Sequence, residues 1–242
     1  MHAVILAGGF GKRLGALAQD TPKALLRVGN RTLIDRIVDK VALHASHVFV
    51  TTNARFAPQF RSWLAEHPQK AKLRLVVEPA QRNEEKLGSI GALANLIRTE
   101  HLSDDLLCVS GDNLFEFDLA PLLAKFKAVR APVFALCDIG SRERARHLGV
   151  VEVDASGKVV AFEEKPAQPK SSLVSTGIYL FPREALGAVQ EYLAECAHAD
   201  AFGHFIRWLS ECTPVYGVTF ADRWFDIGTP EAYADAKRAY EK

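Results

Sequence analysis

The amino-terminal segment reads Val4-Ile5-Leu6-Ala7-Gly8-Gly9-Phe10-Gly11-Lys12-Arg13-Leu14. Three apolar residues followed by glycines are typical of a short buried strand that ends in a tight turn. Glycines in such a turn let backbone N–H groups approach an anion without interference from a Cβ atom. The segment therefore predicts a phosphate-binding turn, although similar turns also serve only to join a strand to its helix.

Two common phosphate-binding motifs do not match this segment. A P-loop would place glycine at Leu6 and Ser or Thr at Arg13, and a dinucleotide fingerprint would place its third glycine at Leu14. Two cations instead accompany the glycines, Arg13 and, in Thr21-Pro22-Lys23, the ammonium of Lys23. A bidentate arginine and a compact ammonium suit the phosphates of a nucleoside triphosphate. Taken singly, either cation is also compatible with an ordinary surface position.

Composition narrows the class of protein further. The chain has 242 residues, of which 48% are hydrophobic, and its formal net charge is +1. We expect one domain over residues 1–242. The near-neutral charge argues against nucleic-acid binding, and no apolar stretch approaches the roughly 20 residues of a membrane helix. Because the amino terminus shows no signal-peptide pattern, we expect a cytoplasmic protein.

Apolar strands alternate with helical patterns through the first half of the chain. Strand patterns cover residues 4–6, 48–50, 73–77 and 106–109, and apolar residues recur with helical spacing over 32–43. After Pro132 closely spaced strands follow, with a hairpin signal at 154–158, and helical patterns cover about 183–197 and 201–210. This order predicts an α/β, single-domain, Rossmann-like fold with a mostly parallel mixed sheet and helices on both faces. We expect a nucleotide-binding half at about 1–130 and a second-substrate half at about 131–242.

Five segments occur in an order and at spacings that are typical of one enzyme family. They read Gly8-Gly9-Phe10-Gly11-Lys12-Arg13-Leu14 with Pro22-Lys23, Leu87-Gly88-Ser89-Ile90-Gly91-Ala92, Ser110-Gly111-Asp112-Asn113, Glu163-Glu164-Lys165-Pro166 with Ser175-Thr176-Gly177-Ile178-Tyr179, and Trp224-Phe225-Asp226-Ile227-Gly228-Thr229-Pro230. Together they resemble the signature of sugar-1-phosphate nucleotidyltransferases, also called nucleotide-sugar pyrophosphorylases, over essentially the whole chain. The resemblance implies transfer of a nucleotidyl group from a nucleoside triphosphate to a sugar 1-phosphate, with release of pyrophosphate.

Two aspartates stand beside predicted element ends. Asp112 follows the strand pattern 106–109, and Asp226 precedes a helix start at Thr229-Pro230. Open α/β sheets bind ligands at the carboxyl ends of their strands, and paired carboxylates near phosphate oxygens suit Mg²⁺. Each aspartate alone is also compatible with a turn or a cap. The resemblance assigns both as Mg²⁺ ligands and places Asp112 with Arg13 and Lys23 as the catalytic residues.

The resemblance also implies the residues that bind the nucleotide, which are Gly8, Gly9, Gly11, Glu78 and Gly88. Gly88 resembles the glycine beside the nucleobase, and Glu78, at the end of a strand, is the predicted reader of the base edge. Glu84 and Glu85 are alternatives to Glu78, because residues 79–86 form a longer connection than the family usually has.

The predicted sugar-phosphate side lies in the second half of the chain, at Gly149, Glu164, Lys165 and Gly177. A carboxylate can accept hydrogen bonds from two vicinal hydroxyls, and glycine lets a sugar ring approach the backbone. By resemblance, Lys165 contacts the phosphate of the sugar substrate. Without the other motifs, Glu163-Glu164-Lys165 would be an ordinary charged turn.

Three questions stay open at the level of sequence. One alternative activity is that of a cytidylyltransferase acting on a phosphorylated alcohol or polyol, and another is a noncatalytic regulatory subunit that binds a nucleotide sugar. The predicted ligands are a nucleoside triphosphate, a sugar 1-phosphate and Mg²⁺, but the nucleobase and the sugar are not fixed. The oligomeric state is also open, with a homodimer as one candidate.

Overall fold

The computed structural model describes residues 1–196 and 202–240. Its strands are β1 (His2–Leu6), β2 (Arg27–Val28), β3 (Arg31–Thr32), β4 (Val48–Asn53), β5 (Leu73–Glu78), β6 (Leu106–Ser110), β7 (Asn113–Phe115), β8 (Val133–Asp138), β9 (Gly149–Val153), β10 (Val159–Glu164), β11 (Leu173–Phe181), β12 (Tyr216–Phe220) and β13 (Trp224–Asp226). Its α-helices are α1 (Leu33–Val41), α2 (Ala57–Glu66), α3 (Gly88–Thr99), α4 (Ala120–Val129), α5 (Arg142–Ala145), α6 (Gly187–Glu195), α7 (Phe202–Cys212) and α8 (Pro230–Tyr240). Short 3₁₀ segments cover Lys12–Ala18, Lys23–Leu25, Asn83–Glu85 and Arg183–Ala185.

The chain divides into two compact units. Unit 1 consists of Met1–Gly88, Leu107–Glu116 and Trp224–Lys242, and unit 2 consists of Ser89–Leu106 and Phe117–Arg223. The carboxyl-terminal segment thus belongs to the same unit as the amino-terminal strands. The expected division of one domain into halves near residue 130 stays a prediction.

Strands β6, β1, β4 and β5 lie side by side, in that order, in unit 1. The ladders between β1 and β4 and between β4 and β5 are parallel. All six residues of β4 are buried, as expected for a strand covered on both faces. These parallel ladders agree with the predicted mostly parallel sheet in the first half of the chain.

Helix α1 illustrates how local sequence sets an element boundary. Thr32 is the N-cap, and its side chain and that of Asp35 form a reciprocal capping box with the backbone. The apolar residues recur with helical spacing and are buried, namely Leu33, Ile34, Ile37, Val38 and Val41. Periodicity and cap together explain why the helix predicted over 32–43 is present.

The end of the chain is held in unit 1 by a short antiparallel ladder. Strand β13 pairs with β7, with Asp226 opposite Asn113. Leu14, Ile227 and Ala236 share one buried apolar cluster, which joins the glycine-turn segment, β13 and α8. These two strands were not predicted, because three-residue strands carry no measurable periodicity.

Unit 2 contains β10, β9, β11, β8 and β12 as successive neighbours. The first three ladders are antiparallel, and β8 pairs with β12 in parallel. The predicted hairpin at 154–158 is present between β9 and β10, where the carboxylate of Asp154 accepts hydrogen bonds from the backbone of Ser156 and Lys158. Helices predicted at 183–197 and 201–210 correspond to α6 and α7, while residues 197 and 201 lie outside the described part of the chain.

The α/β class with a mixed sheet is therefore confirmed. Within the described residues, none of the helices has the length and apolar character needed to cross a membrane.

Candidate active site

The glycine turn follows β1 directly and is held by neighbouring strands. The backbone N–H of Ala7 donates to the carbonyl of Thr51 on β4, and the Asn53 side-chain amide donates to the carbonyl of Gly8 at 3.0 Å. Gly11 has φ +64°, and a Cβ there would lie 2.6 Å from the Cβ of Ala18. A left-handed backbone and close packing therefore both require glycine at this position.

A second close approach joins this turn to the end of β6. The N–H of Gly111 donates to the carbonyl of Leu6 at 2.9 Å, and a Cβ at Gly111 would lie 2.9 Å from that same oxygen. Gly111 was not among the predicted site residues, although the segment Ser110-Gly111-Asp112-Asn113 contained it. Its missing side chain brings Asp112 to the edge of the glycine turn.

Asp112 and Lys23 form an ion pair at this edge. The Lys23 Nζ lies 2.7 Å from Oδ2 of Asp112, and the two side chains are 14% and 33% exposed. The other carboxylate oxygen accepts a hydrogen bond from the side-chain amide of Asn113 at 2.9 Å. The structure thus brings together two predicted catalytic residues that are 89 positions apart in the chain.

Electrostatics keep the Asp112 carboxyl ionised. Burial by itself raises the pKa of Asp112, but the charge and hydrogen bond of Lys23, together with the charge of Arg13, lower this pKa below its usual value. Opposite charges at such short range favour the ionised form of a carboxyl group. Asp112 is therefore an anion at neutral pH, which is the form that binds a metal ion.

Asp226 reaches the same region through the ladder between β13 and β7. The N–H of Ile227 donates to the backbone carbonyl of Asp112 at 3.0 Å. Trp224 fixes the partner strand, because its indole N–H donates to Oδ1 of Asn113 at 2.8 Å. Sequence reasoning did not assign roles to Asn113 and Trp224. The two residues are 111 positions apart in the chain, so no local pattern predicts their contact.

Arg13 lies on the exposed side of the turn. Its guanidinium and the carboxylate of Asp226 both face Gly228, each about 3.4 Å from the position that a Cβ there would take. The predicted cation and the second predicted metal ligand are therefore neighbours of one glycine. An arginine in this place can interact with phosphate oxygens by two parallel N–H groups.

The three candidate base readers occupy different environments. Glu78, at the end of β5, is 3% exposed, and its Oε1 lies 3.0 Å from the position of a Cβ at Gly8. Burial raises the pKa of Glu78, while a backbone hydrogen bond from Leu87 partly opposes this increase. Glu84 pairs with Lys12 at 2.9 Å, and Glu85 pairs with Arg82 at 2.6 Å.

A cavity of about 330 Å³ adjoins the outer side of the turn. Gly11, Lys12 and Glu84 line it with Arg55 and Arg82. Of the remaining predicted nucleotide residues, Gly9 has open space where a Cβ would stand, and Gly88 begins α3 with φ +74°. The glycine turn therefore borders a recess that carries several cationic side chains.

Unit 2 brings together three of the four residues predicted for the sugar-phosphate side. Gly149 on β9 is the register partner of Glu164 on β10. The Lys165 ammonium lies 3.0 Å from Oε1 of Glu164, and Lys165 itself has φ +48°. Gly177, with φ +74°, lies on β11 where the register between β11 and β8 shifts.

Asp112 and Asp226 fit the requirements of a hard divalent cation. Both supply oxygen donors, and the lowered pKa of Asp112 provides an ionised ligand. In residues 1–196 and 202–240, groups of three or more His, Cys, Asp or Glu side chains arranged for a metal ion are absent. A cation held by two aspartates would complete its coordination with phosphate oxygens and water, which is usual for Mg²⁺.

A comparison with solved structures supports the predicted fold. A solved structure assigned as a glucose-1-phosphate thymidylyltransferase from Bacillus anthracis, in complex with sucrose, matches with a TM-score of 0.85. The match covers 100% of this chain and 96% of that chain at 24% sequence identity. At this level of identity the likeness shows the fold, and it confirms the predicted nucleotidyltransferase architecture.

Two curated relatives are named bifunctional protein GlmU. The relative from Methanocaldococcus jannaschii is 24% identical over 244 residues, with 98% of this chain and 54% of the relative covered. The relative from Methanococcus aeolicus is 25% identical over 237 residues, with 98% and 53% covered. This chain spans about half the length of these relatives.

A family description of nucleotidyl transferases matches residues 2–242. The matched range includes the glycine turn, the Lys23–Asp112 pair and the Glu164-Lys165 segment. The chain therefore belongs to the nucleotidyl transferase family.

Proposed function

We propose that this chain transfers a nucleotidyl group from a nucleoside triphosphate to a sugar 1-phosphate, giving a nucleotide sugar and pyrophosphate. The observation that carries the proposal is the Lys23–Asp112 pair beside the glycine turn. It combines a cation for phosphate oxygens with an ionised oxygen ligand for a metal. Such a pair at a phosphate-binding turn suits chemistry at a triphosphate.

The proposed reaction needs no covalent enzyme intermediate. An oxygen of the sugar phosphate attacks the α-phosphorus, a new P–O bond forms, and the bond from the α-phosphorus to the bridging oxygen of pyrophosphate breaks. The attacking phosphate is already anionic near neutral pH, so the reaction does not require a general base. The protein's task is then in-line positioning and charge neutralisation.

Lys23 and Arg13 have separate roles in this scheme. Lys23 holds phosphate oxygens of the triphosphate, and Arg13 stabilises the negative charge that develops on pyrophosphate. Gly8, Gly9 and Gly11 allow the phosphates to approach the backbone N–H groups of the turn.

Asp112 and Asp226 would hold Mg²⁺, which we propose as the metal. A divalent cation bound there would neutralise negative charge on the phosphate oxygens. Glu78 and Gly88 are proposed to contact the nucleobase, with Glu84 or Glu85 as alternatives to Glu78. Assembly as a homodimer and location in the cytoplasm stay predictions.

Unit 2 carries the proposed sugar-phosphate residues. Glu164 would accept hydrogen bonds from sugar hydroxyls, and Lys165 would pair with the phosphate of the acceptor. Gly149 and Gly177 would leave room for the ring near the backbone. The support for this assignment is the contact among Gly149, Glu164 and Lys165 within the unit.

Pyrophosphate release tests the proposal directly. The five common nucleoside triphosphates are each combined with hexose, hexosamine, heptose, polyol and choline phosphates in the presence of Mg²⁺. Release with at least one sugar 1-phosphate is expected. Turnover only with polyol or choline phosphates would indicate a cytidylyltransferase instead, and release with none of the pairs would favour a noncatalytic binding subunit.

A variant of Lys165 tests the assignment of the acceptor phosphate. Lys165→Ala should raise the KM for the sugar phosphate by about tenfold, the scale of one lost charge-assisted hydrogen bond, and leave the KM for the nucleotide close to that of the wild type. Lys170→Ala is the matched control, because Lys170 is an exposed lysine on the same segment. A change confined to the nucleotide KM would contradict the assignment.

A further inference from the structure

Gly203 is an unexpected residue at its position in α7. It lies in α7 and is buried, although glycine is a poorer helix former than alanine. An alanine Cβ at this position would overlap with Oε2 of Glu164 and would lie 2.6 Å from Cδ of Glu164. The same Cβ would lie 3.1 Å from the ring of Phe162. The backbone of α7 therefore packs directly against the Glu164 carboxylate.

A second glycine borders the same carboxylate from β9. A Cβ at Gly149 would lie 3.2 Å from Oε2 of Glu164 and 2.6 Å from the ring of Phe162. Oε2 thus occupies a slot between the backbones of Gly203 and Gly149. The other oxygen, Oε1, pairs with the Lys165 ammonium at 3.0 Å.

Contacts on several sides hold the Glu164 carboxylate in the slot. Its side chain is 15% exposed, and two glycine backbones and one ammonium surround its carboxylate. Lys165 has a left-handed backbone with φ +48°, a conformation that is costly for a residue with a side chain. Its N–H donates to the carbonyl of Leu148 at 2.9 Å, which fixes the chain immediately after Glu164.

We propose that Gly203 is a positioning residue for the acceptor substrate: its missing side chain lets α7 hold the Glu164 carboxylate in the orientation that binds the sugar phosphate. This inference rests on the proposed function, because it takes Glu164 as the ligand of the sugar. Gly203 itself acts through Glu164 and contacts no reacting atom.

A substitution at Gly203 separates this role from a purely structural one. The atoms that an alanine Cβ would overlap belong to the end of the flexible Glu164 side chain, which can rotate away without a shift of the backbone. Alanine is also the better helix former. The Phe162 ring, 3.1 Å from the Cβ, has to shift by only a few tenths of an ångström. Gly203→Ala should therefore keep the fold and displace mainly the carboxylate.

The experiment compares steady-state kinetics of the wild type and Gly203→Ala, with each substrate varied in turn. The KM for the sugar phosphate should rise by about tenfold, the effect of one misplaced charged hydrogen-bonding group. The KM for the nucleoside triphosphate and the midpoint of thermal unfolding should stay close to the wild-type values. Gly187→Ala is the matched control, because a Cβ at Gly187, the first residue of α6, would meet only Glu191 Oε1 at 4.0 Å.

A second variant tests whether the effect passes through Glu164. Aspartate is one methylene shorter, so its carboxylate would not reach the backbone of α7. Glu164→Asp alone should raise the KM for the sugar phosphate, and adding Gly203→Ala to it should cause little further increase. If the increase in KM for the sugar phosphate in the double variant equals the product of the two single increases, Gly203 does not act through Glu164 and the proposal is wrong.

The outcomes distinguish this inference from the proposed function. If the wild type turns over a sugar phosphate and Gly203→Ala has an unchanged KM for it, the positioning role is wrong and the proposed function stands. A lower unfolding midpoint with equal changes in both KM values would assign Gly203 a structural role only. A wild type that is inactive with every sugar phosphate would overturn both.

Discussion

Asp112 and Glu78 occupy comparable places in unit 1, yet their environments shift their pKa values in opposite directions. Both are acidic side chains at the ends of strands, Asp112 after β6 and Glu78 at the end of β5. Lys23 and Arg13 lower the pKa of Asp112 despite its burial, whereas burial raises the pKa of Glu78. Of these two carboxyl groups, Asp112 is therefore the one whose surroundings favour the ionised form, which is the form that binds a cation.

The largest effect is expected when the ionised carboxylate is removed. Asp112→Asn and Asp226→Asn should each lower turnover by roughly 10²–10³, the scale of one lost preorganised electrostatic contact. Asparagine keeps the side-chain volume, so the variants should fold, which circular dichroism can check. Wild-type turnover of Asp226→Asn in excess EDTA would rule out a metal role for these residues.

The second effect follows from removing the cation that keeps Asp112 ionised. Lys23→Met should lower turnover by roughly 10², because Lys23 both pairs with Asp112 and contacts phosphate in the proposed mechanism. It should also lower the unfolding midpoint by roughly 5 °C, since breaking a part-buried ion pair leaves the Asp112 charge unpaired. Thermal denaturation and pyrophosphate release measure the two effects, and a variant with wild-type values in both would contradict this account of the pair.

A third prediction concerns the pH dependence of stability caused by Glu78. Its pKa is higher in the folded than in the unfolded state, so the folded protein binds more protons above the unfolded pKa of about 4.5. Stability from this group is therefore complete at low pH and decreases as pH rises toward the folded pKa. Glu78→Gln has no such loss, and its unfolding midpoint should exceed that of the wild type by about 2–4 °C at pH 8 but not at pH 4.

The control for this prediction is Glu66→Gln, because Glu66 is an exposed glutamate at the end of α2. The gain of Glu78→Gln at pH 8 should exceed any change in the midpoint of this control. A Glu78→Gln advantage that is larger at pH 4 than at pH 8 would show that the sign of the Glu78 effect is wrong.

The smallest effect is expected at the exposed counterpart of the Lys23–Asp112 pair. Lys12 and Glu84 form an ion pair of 2.9 Å with side chains that are 64% and 71% exposed. Solvent screens such a pair strongly. Lys12→Met should change the unfolding midpoint by less than about 1 °C in scanning calorimetry. A decrease as large as that of Lys23→Met would show that burial does not make the Lys23–Asp112 pair more stabilising than the exposed pair.

Local signals were sufficient for much of this site. The run from Val4 to Gly11 predicted the strand and the tight glycine turn after it, and the apolar strand before Asp112 placed that carboxylate at a strand end. The pairing of Lys23 with Asp112 could not be derived from periodicity, because it joins residues 89 positions apart. The burial of Glu78 and the slot formed by Gly203 also depend on tertiary packing, for which the sequence carries no local signal.

The most direct test of the central claim is the Mg²⁺ dependence of pyrophosphate release in the wild type, Asp112→Asn and Glu78→Gln. Because Asp112 is proposed to hold the cation and Glu78 is not, Glu78→Gln should reach half-maximal activity at the wild-type Mg²⁺ concentration. Asp112→Asn should need a concentration at least about tenfold higher. A wild-type Mg²⁺ dependence in Asp112→Asn, or a requirement that shifts only in Glu78→Gln, would contradict the account.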